Sequence, residues 1–93
     1  MARVAYKNIP NCLRKCRKVR GLNQSEVAVI LGLKSTSMIS RWENGACLPD
    51  TPNVLRLAVL YRTLVDGLFR DLMIRLKDDL AEREAKVTGE KER

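Results

Sequence analysis

The sequence contains no histidine, four aromatic side chains and three cysteines in 93 residues. Without histidine the chain lacks the side chain that most often serves as a general base or metal ligand near neutral pH. The thiols of Cys12, Cys16 and Cys47 have no base partner to activate them as nucleophiles. Cys12 and Cys16 lie four apart and share a helix face, but the other ligand pairs of a structural zinc site are missing. Cys16 therefore reads as a small apolar packing residue. There is no glycine-rich phosphate loop, and Asp78 and Asp79 point in different directions on a polar helix, so neither phosphoryl transfer nor paired-carboxylate chemistry is favoured. No catalytic residue, metal or cofactor is expected. The start MARVAYKNIPN has no apolar core of a secretory signal, and an odd cysteine number fits a reducing cytoplasm. No run of about 18 apolar residues is present to span a membrane. With only Tyr6, Trp42, Tyr61 and Phe69 available, the basic region does not alternate with exposed aromatics as the stacking platform of a single-strand binder does. No strand pattern, internal repeat or low-complexity tract occurs.

What the chain has in excess is positive charge. It carries 18 Lys and Arg against 11 Asp and Glu, a net charge of +7. Residues 1–69 hold 11 basic and 4 acidic side chains, whereas residues 70–93 hold 7 of each. Within residues 1–41 the one acid is Glu26, set against Arg3, Lys7, Arg14, Lys15, Arg17, Lys18, Arg20, Lys34 and Arg41. Such a footprint attracts nucleic acid or, as an alternative, an anionic membrane surface. The length suits one domain, and 45% hydrophobic residues support a packed globule. A core this small gains from helical packing or a partner chain.

Apolar spacing predicts helices throughout. Residues 11–20 place Leu13 and Cys16 three apart before Gly21, a left-handed stop. Asn23 with Glu26 three residues later forms a capping-box word opening a helix at Gln24–Leu31, which buries Val27, Ala28 and Leu31 and ends at Gly32. Leu33 and Lys34 form a turn, and Ser35 is a fitting N-cap for a third helix through Asn44 with Ile39 and Trp42 inward. LPDTP is a loop in which Asp50 or Thr51 caps a fourth helix, about Asn53–Tyr61. Beyond Thr63, the residues Val65, Leu68, Phe69, Leu72, Met73, Leu76 and Leu80 keep a helical period, which predicts a single long helix over about 64–85.

Two short helices joined by a tight turn, the second opening with hydroxyl residues and carrying Arg41, describe a helix-turn-helix. The words Gly21-Leu22-x-Gln24, Glu26-x-Ala28, Leu31-Gly32, Ile39-Ser40-Arg41-Trp42-Glu43-Asn44-Gly45, Leu48-Pro49, Leu57-Ala58 and Val65-Asp66-x-Leu68-Phe69, in this order, resemble the lambda-repressor and Cro-type family. The resemblance covers about residues 9–69. Two departures stand out: Gly32 to Ile39 spans seven steps where many members have six, which assigns an extra residue to the Leu33–Lys34 turn, and Arg62 replaces a frequent Gly.

The resemblance implies an all-α, five-helix DNA-binding domain over residues 1–69, with a C-terminal helical extension over 70–93. In such proteins the third helix enters the major groove. Thr36, Ser37, Ser40 and Arg41 would then face the bases, Arg41 bonding one guanine through O6 and N7. Gln24, Asn23, Lys34, Asn44 and Arg14 are phosphate candidates, with Asn23 favoured as a cap and Ser35 open between a cap and a contact. Lys15, Lys18 and Arg20 supply a charged, solvated face. An ion pair between Arg17 and Glu43 is implied by the family pattern, and Trp42 is a packing anchor. Leu72, Leu76 and Leu80 form a stripe for a second copy or another protein. A homodimer would bring two recognition helices to a pseudo-palindromic operator. The function implied is that of a bacterial or phage cytoplasmic transcriptional regulator, a repressor in that family pattern; the alternatives are an antitoxin that represses its own operon and binds a toxin, and an interaction module that has lost base reading.

Overall fold

The computed structural model describes residues 8–91. Six helices follow one another: α1 Leu13–Val19, α2 Gln24–Leu31, α3 Ser37–Glu43, α4 Thr51–Tyr61, α5 Val65–Leu68 and α6 Arg70–Lys91, with no strand among the described residues. The class is all-α, as expected.

Helix ends are set by local chemistry. Asn11 Oδ1 accepts from Leu13 N at 3.0 Å and satisfies the opening turn of α1. The capping box of α2 is complete: Asn23 Oδ1 accepts from Glu26 N at 2.8 Å and Glu26 Oε1 accepts from Asn23 N at 2.9 Å. Asp50 Oδ1 caps α4 through Asn53 N at 3.1 Å, with Pro52 in the first turn, where its missing N–H costs nothing. The fourth helix therefore starts two residues before the sequence-based boundary.

Four helices stop with the same pair of backbone bonds. After α1, Leu22 N reaches Arg17 O and Gly21 N reaches Lys18 O; after α2, Leu33 N reaches Ala28 O and Gly32 N reaches Val29 O. After α3, Ala46 N reaches Arg41 O and Gly45 N reaches Trp42 O; after α4, Thr63 N reaches Ala58 O and Arg62 N reaches Val59 O. This is the Schellman arrangement, which needs one residue at positive φ. Gly21, Gly32 and Gly45 supply it without strain, whereas Arg62 takes φ 57° with a side chain attached.

Two boundaries differ from expectation. Helix α3 begins at Ser37 with Thr36 as its cap residue, not at Ser35. Ser35 Oγ instead accepts from Ser37 N at 3.3 Å and lies 3.1 Å from Ser37 Oγ, so residues 33–36 form the turn that takes up the extra residue. The predicted helix over 64–85 is divided at Phe69, whose φ −133° and ψ 46° break the helical run. Leu68 O is taken by Cys12 N at 2.8 Å, and both Leu68 and Phe69 are buried, so anchoring to the start of α1 overrides local propensity there.

The core unites Leu13, Val27, Ala28, Ile39, Trp42, Leu57, Tyr61, Leu68 and Phe69, so that each of α1 to α5 contributes. Each large aliphatic or aromatic side chain among them stabilises the fold by about 1.5–3 kcal/mol through burial. Cys16 is half-buried against this cluster, and burial, aided by the neighbouring Cys12, pushes its thiol up. Helix α6 leaves the globule: every side chain from Ile74 to Thr88 is exposed. The extents are 55 × 30 × 20 Å and the radius of gyration is 16.3 Å, against about 12 Å for a compact chain of this length.

Candidate nucleic-acid interface

Helix α3 has an inner and an outer side. Ile39, Trp42 and Glu43 are buried. At 100° per residue the opposite side carries Ser37, Arg41 and Asn44, all exposed, with half-buried Ser40 beside them. Thr36 is half-buried at the cap, on the rim of that surface. Met38, which the sequence reading left out, is exposed on the flank.

Behind the outer face lies a buried charge cluster centred on Glu43, whose side chain is 1% exposed. Arg17 grips it with two bonds, Nε to Oε2 at 2.6 Å and Nη2 to Oε1 at 3.1 Å. Gln24 Nε2 donates to Oε1 at 3.0 Å from the start of α2, and Arg14 Nε donates to the same oxygen at 3.4 Å. Burial pushes the Glu43 carboxyl up, but the bonds from Arg17, Gln24 and Arg14 and the Arg17 charge outweigh it and hold the group below the usual carboxylate range. The hydrogen bond to Glu43 raises Arg17 in turn. Arg17 Nη1 also donates to Leu22 O at 2.9 Å. One carboxylate thus fastens α1, α2 and the end of α3 together, fixing the angle at which α3 is presented.

Arg14 continues this network outward. Its Nη2 donates to Asn44 Oδ1 at 2.9 Å, and Asn44 Nδ2 reaches Ser40 Oγ at 3.4 Å. Arg14, Asn44 and Ser40 therefore form one chain of polar groups along the outer face of α3. Asn23 is committed to the cap of α2, while Lys34 is exposed in the turn between α2 and α3. The side-chain amide of Gln24, assigned to phosphate in the sequence reading, is turned towards Glu43 from a half-buried position.

Asn11 was missed in the sequence. Besides capping α1, its Nδ2 lies within bonding distance of Ile9 O at 2.9 Å, Trp42 O at 3.2 Å and Glu43 O at 3.4 Å, tying α1 to the carbonyl end of α3. An Asn two residues before the first apolar position was the available signal. Arg20, grouped with the solvated cations, donates through Nε to Leu60 O at 3.2 Å and joins α1 to α4. Leu72 is half-buried, whereas Leu76 and Leu80 are exposed, the last at 59%.

Among the described residues no group of three or more metal-ligating side chains occurs, and no helix is long and apolar enough to cross a membrane. No curated protein and no solved structure matches the chain. The family of helix-turn-helix domains matches over residues 11–72, from the cap of α1 to the first turn of α6. With α2, the turn and α3 arranged as that motif requires, the chain belongs to the helix-turn-helix domain family, whose fold binds DNA.

Proposed function

We propose that the protein is a sequence-specific regulator of transcription, acting as a repressor by occupying an operator. The observation that carries this reading is the outer face of α3, where Ser37, Arg41 and Asn44 stand opposite Ile39 and Trp42 on a helix braced from behind by Glu43. The major groove admits one helix, and the exposed guanidinium of Arg41, in the last turn of α3, suits the O6 and N7 of guanine. In this reading Arg41 specifies, while Thr36, Ser37 and Ser40 bond bases less selectively. Lys34, Arg14, Asn44 and the start of α2 at Asn23 and Gln24 meet phosphates on either side of the groove. Gln24 then acts mainly by orienting Glu43, its second amide hydrogen being the one directed to phosphate.

A second copy, held through Leu72, Leu76 and Leu80, supplies the other half of a two-fold assembly and a pseudo-palindromic site. The test is selection of a random duplex library on the purified protein at two salt concentrations. Enrichment of an inverted repeat that persists at the higher salt is the expected result. Retention without enrichment, fading as salt rises, would leave only charge attraction and refute sequence-specific reading.

A further inference from the structure

Helix α6 carries Met73, Leu76, Leu80 and Val87 at the spacing of the seven-residue repeat that seats one helix on another, interrupted only by Arg83. Leu76, Leu80 and Val87 are 45%, 59% and 53% exposed, so their own chain leaves this seam open. Charges flank it in a fixed order. Asp79 and Lys86 lie along one edge, Lys77 and Glu84 along the other. A parallel, in-register pair would set Asp79 against Glu84 of the partner subunit, two like charges. An antiparallel pair centred between Ala81 and Glu82 sets Lys77 against Glu84 of the partner subunit and Asp79 against Lys86 of the partner subunit. Each of these opposite-charge pairs occurs twice by symmetry.

We propose that α6 pairs antiparallel with α6 of a second copy in that register, with Leu76 on Val87 of the partner subunit and Leu80 on the aliphatic stem of Arg83 of the partner subunit. This rests on the reading that a second copy covers the stripe, and it specifies direction and register. Arg83 bonds Asp79 at 3.3 Å along its own helix, which holds its guanidinium at the edge of the seam and leaves the stem over the apolar row. At the base of α6, a hollow of about 140 Å³ between Ile9, Leu48, Leu72 and Leu76 adjoins the point where Val87 of the partner subunit arrives. The two starts of α6 then stand about 35 Å apart, at 1.5 Å per residue, close to one turn of duplex.

Charge reversal in the full chain, read by sedimentation equilibrium at low salt, tests the register. Neither Lys77 nor Glu84 has an oppositely charged residue three or four positions along α6, so reversal acts across the pair and not within the helix. Lys77→Glu and Glu84→Lys should each weaken the dimer by about tenfold, and the double variant should return to near the original affinity. Tighter association of Glu84→Lys would overturn the antiparallel register, because that change improves the parallel contact with Asp79. Indifference of the dimer to both reversals would overturn it as well. A wild-type chain that stays monomeric at hundreds of micromolar would remove the second-copy reading itself, whatever its affinity for DNA.

Discussion

At the scale of single residues, Glu43 sets what the interface can be. A carboxylate 1% exposed would be costly alone, and it is stable here because Arg17, 10% exposed, offers a two-pronged partner while Gln24 and Arg14 both add a bond to Oε1. Arg17→Ala strands that charge and should destabilise the fold by about 3–5 kcal/mol, measured by thermal or denaturant unfolding. Unchanged melting would show the pair to be dispensable. The same cluster dictates a pH response. Because the folded state holds Glu43 below the usual carboxylate range, its contribution is present at neutral pH and is lost as pH falls through that lower folded value. Glu43→Gln should therefore be less stable at pH 7 and show a flatter decline into acid, followed by helix signal against pH. The pairing of Arg17 with Glu43 was legible through the family pattern. The roles of Gln24 and Asn11 were not, since both reach atoms of residues 42 or 43, brought near only when α1, α2 and α3 assemble.

At the scale of elements, starts and stops were the clearest features in the sequence where the chemistry is local, and the least clear where it is not. The Asn23 and Glu26 box and the glycines at 21, 32 and 45 were readable because each acts on its own helix. The break at Phe69 was hidden: the apolar period continues through it, and its cause is a bond from Cys12 N, 56 positions earlier, to Leu68 O. Arg62 is the odd member of the four equivalent stops. A left-handed non-glycine residue costs about 1–2 kcal/mol, partly offset by the greater chain freedom of glycine in the unfolded state. Arg62→Gly should raise stability by up to about 1 kcal/mol, visible as a melting point a few degrees higher; a lower one would mean that the arginine side chain is itself holding α4 in place. Gly45 is the opposite case. A Cβ there would run into the backbone of Asn8 and Ile9, where Ile9 N donates to Gly45 O at 2.9 Å, so Gly45→Ala should cost more than about 2 kcal/mol in denaturant unfolding.

At the scale of the whole molecule, charge and shape divide the labour. The excess of +7 lies within residues 1–69, while the neutral α6 extends from the globule to give a body 55 Å long. The charge draws in any duplex, and the logarithm of affinity should fall linearly with that of salt, by about 0.9 per phosphate neutralised. In the proposed function, reading of sequence falls to the outer face of α3. The most direct measurement is the affinity of wild type and Arg41→Ala for the selected duplex, with each guanine in turn replaced by 7-deazaguanine, which lacks N7. Wild type should lose about 1–3 kcal/mol at one guanine in each half-site, and Arg41→Ala should be indifferent to that same replacement. Equal losses in both proteins, or none in either, would contradict the assignment of α3 and Arg41 to base reading.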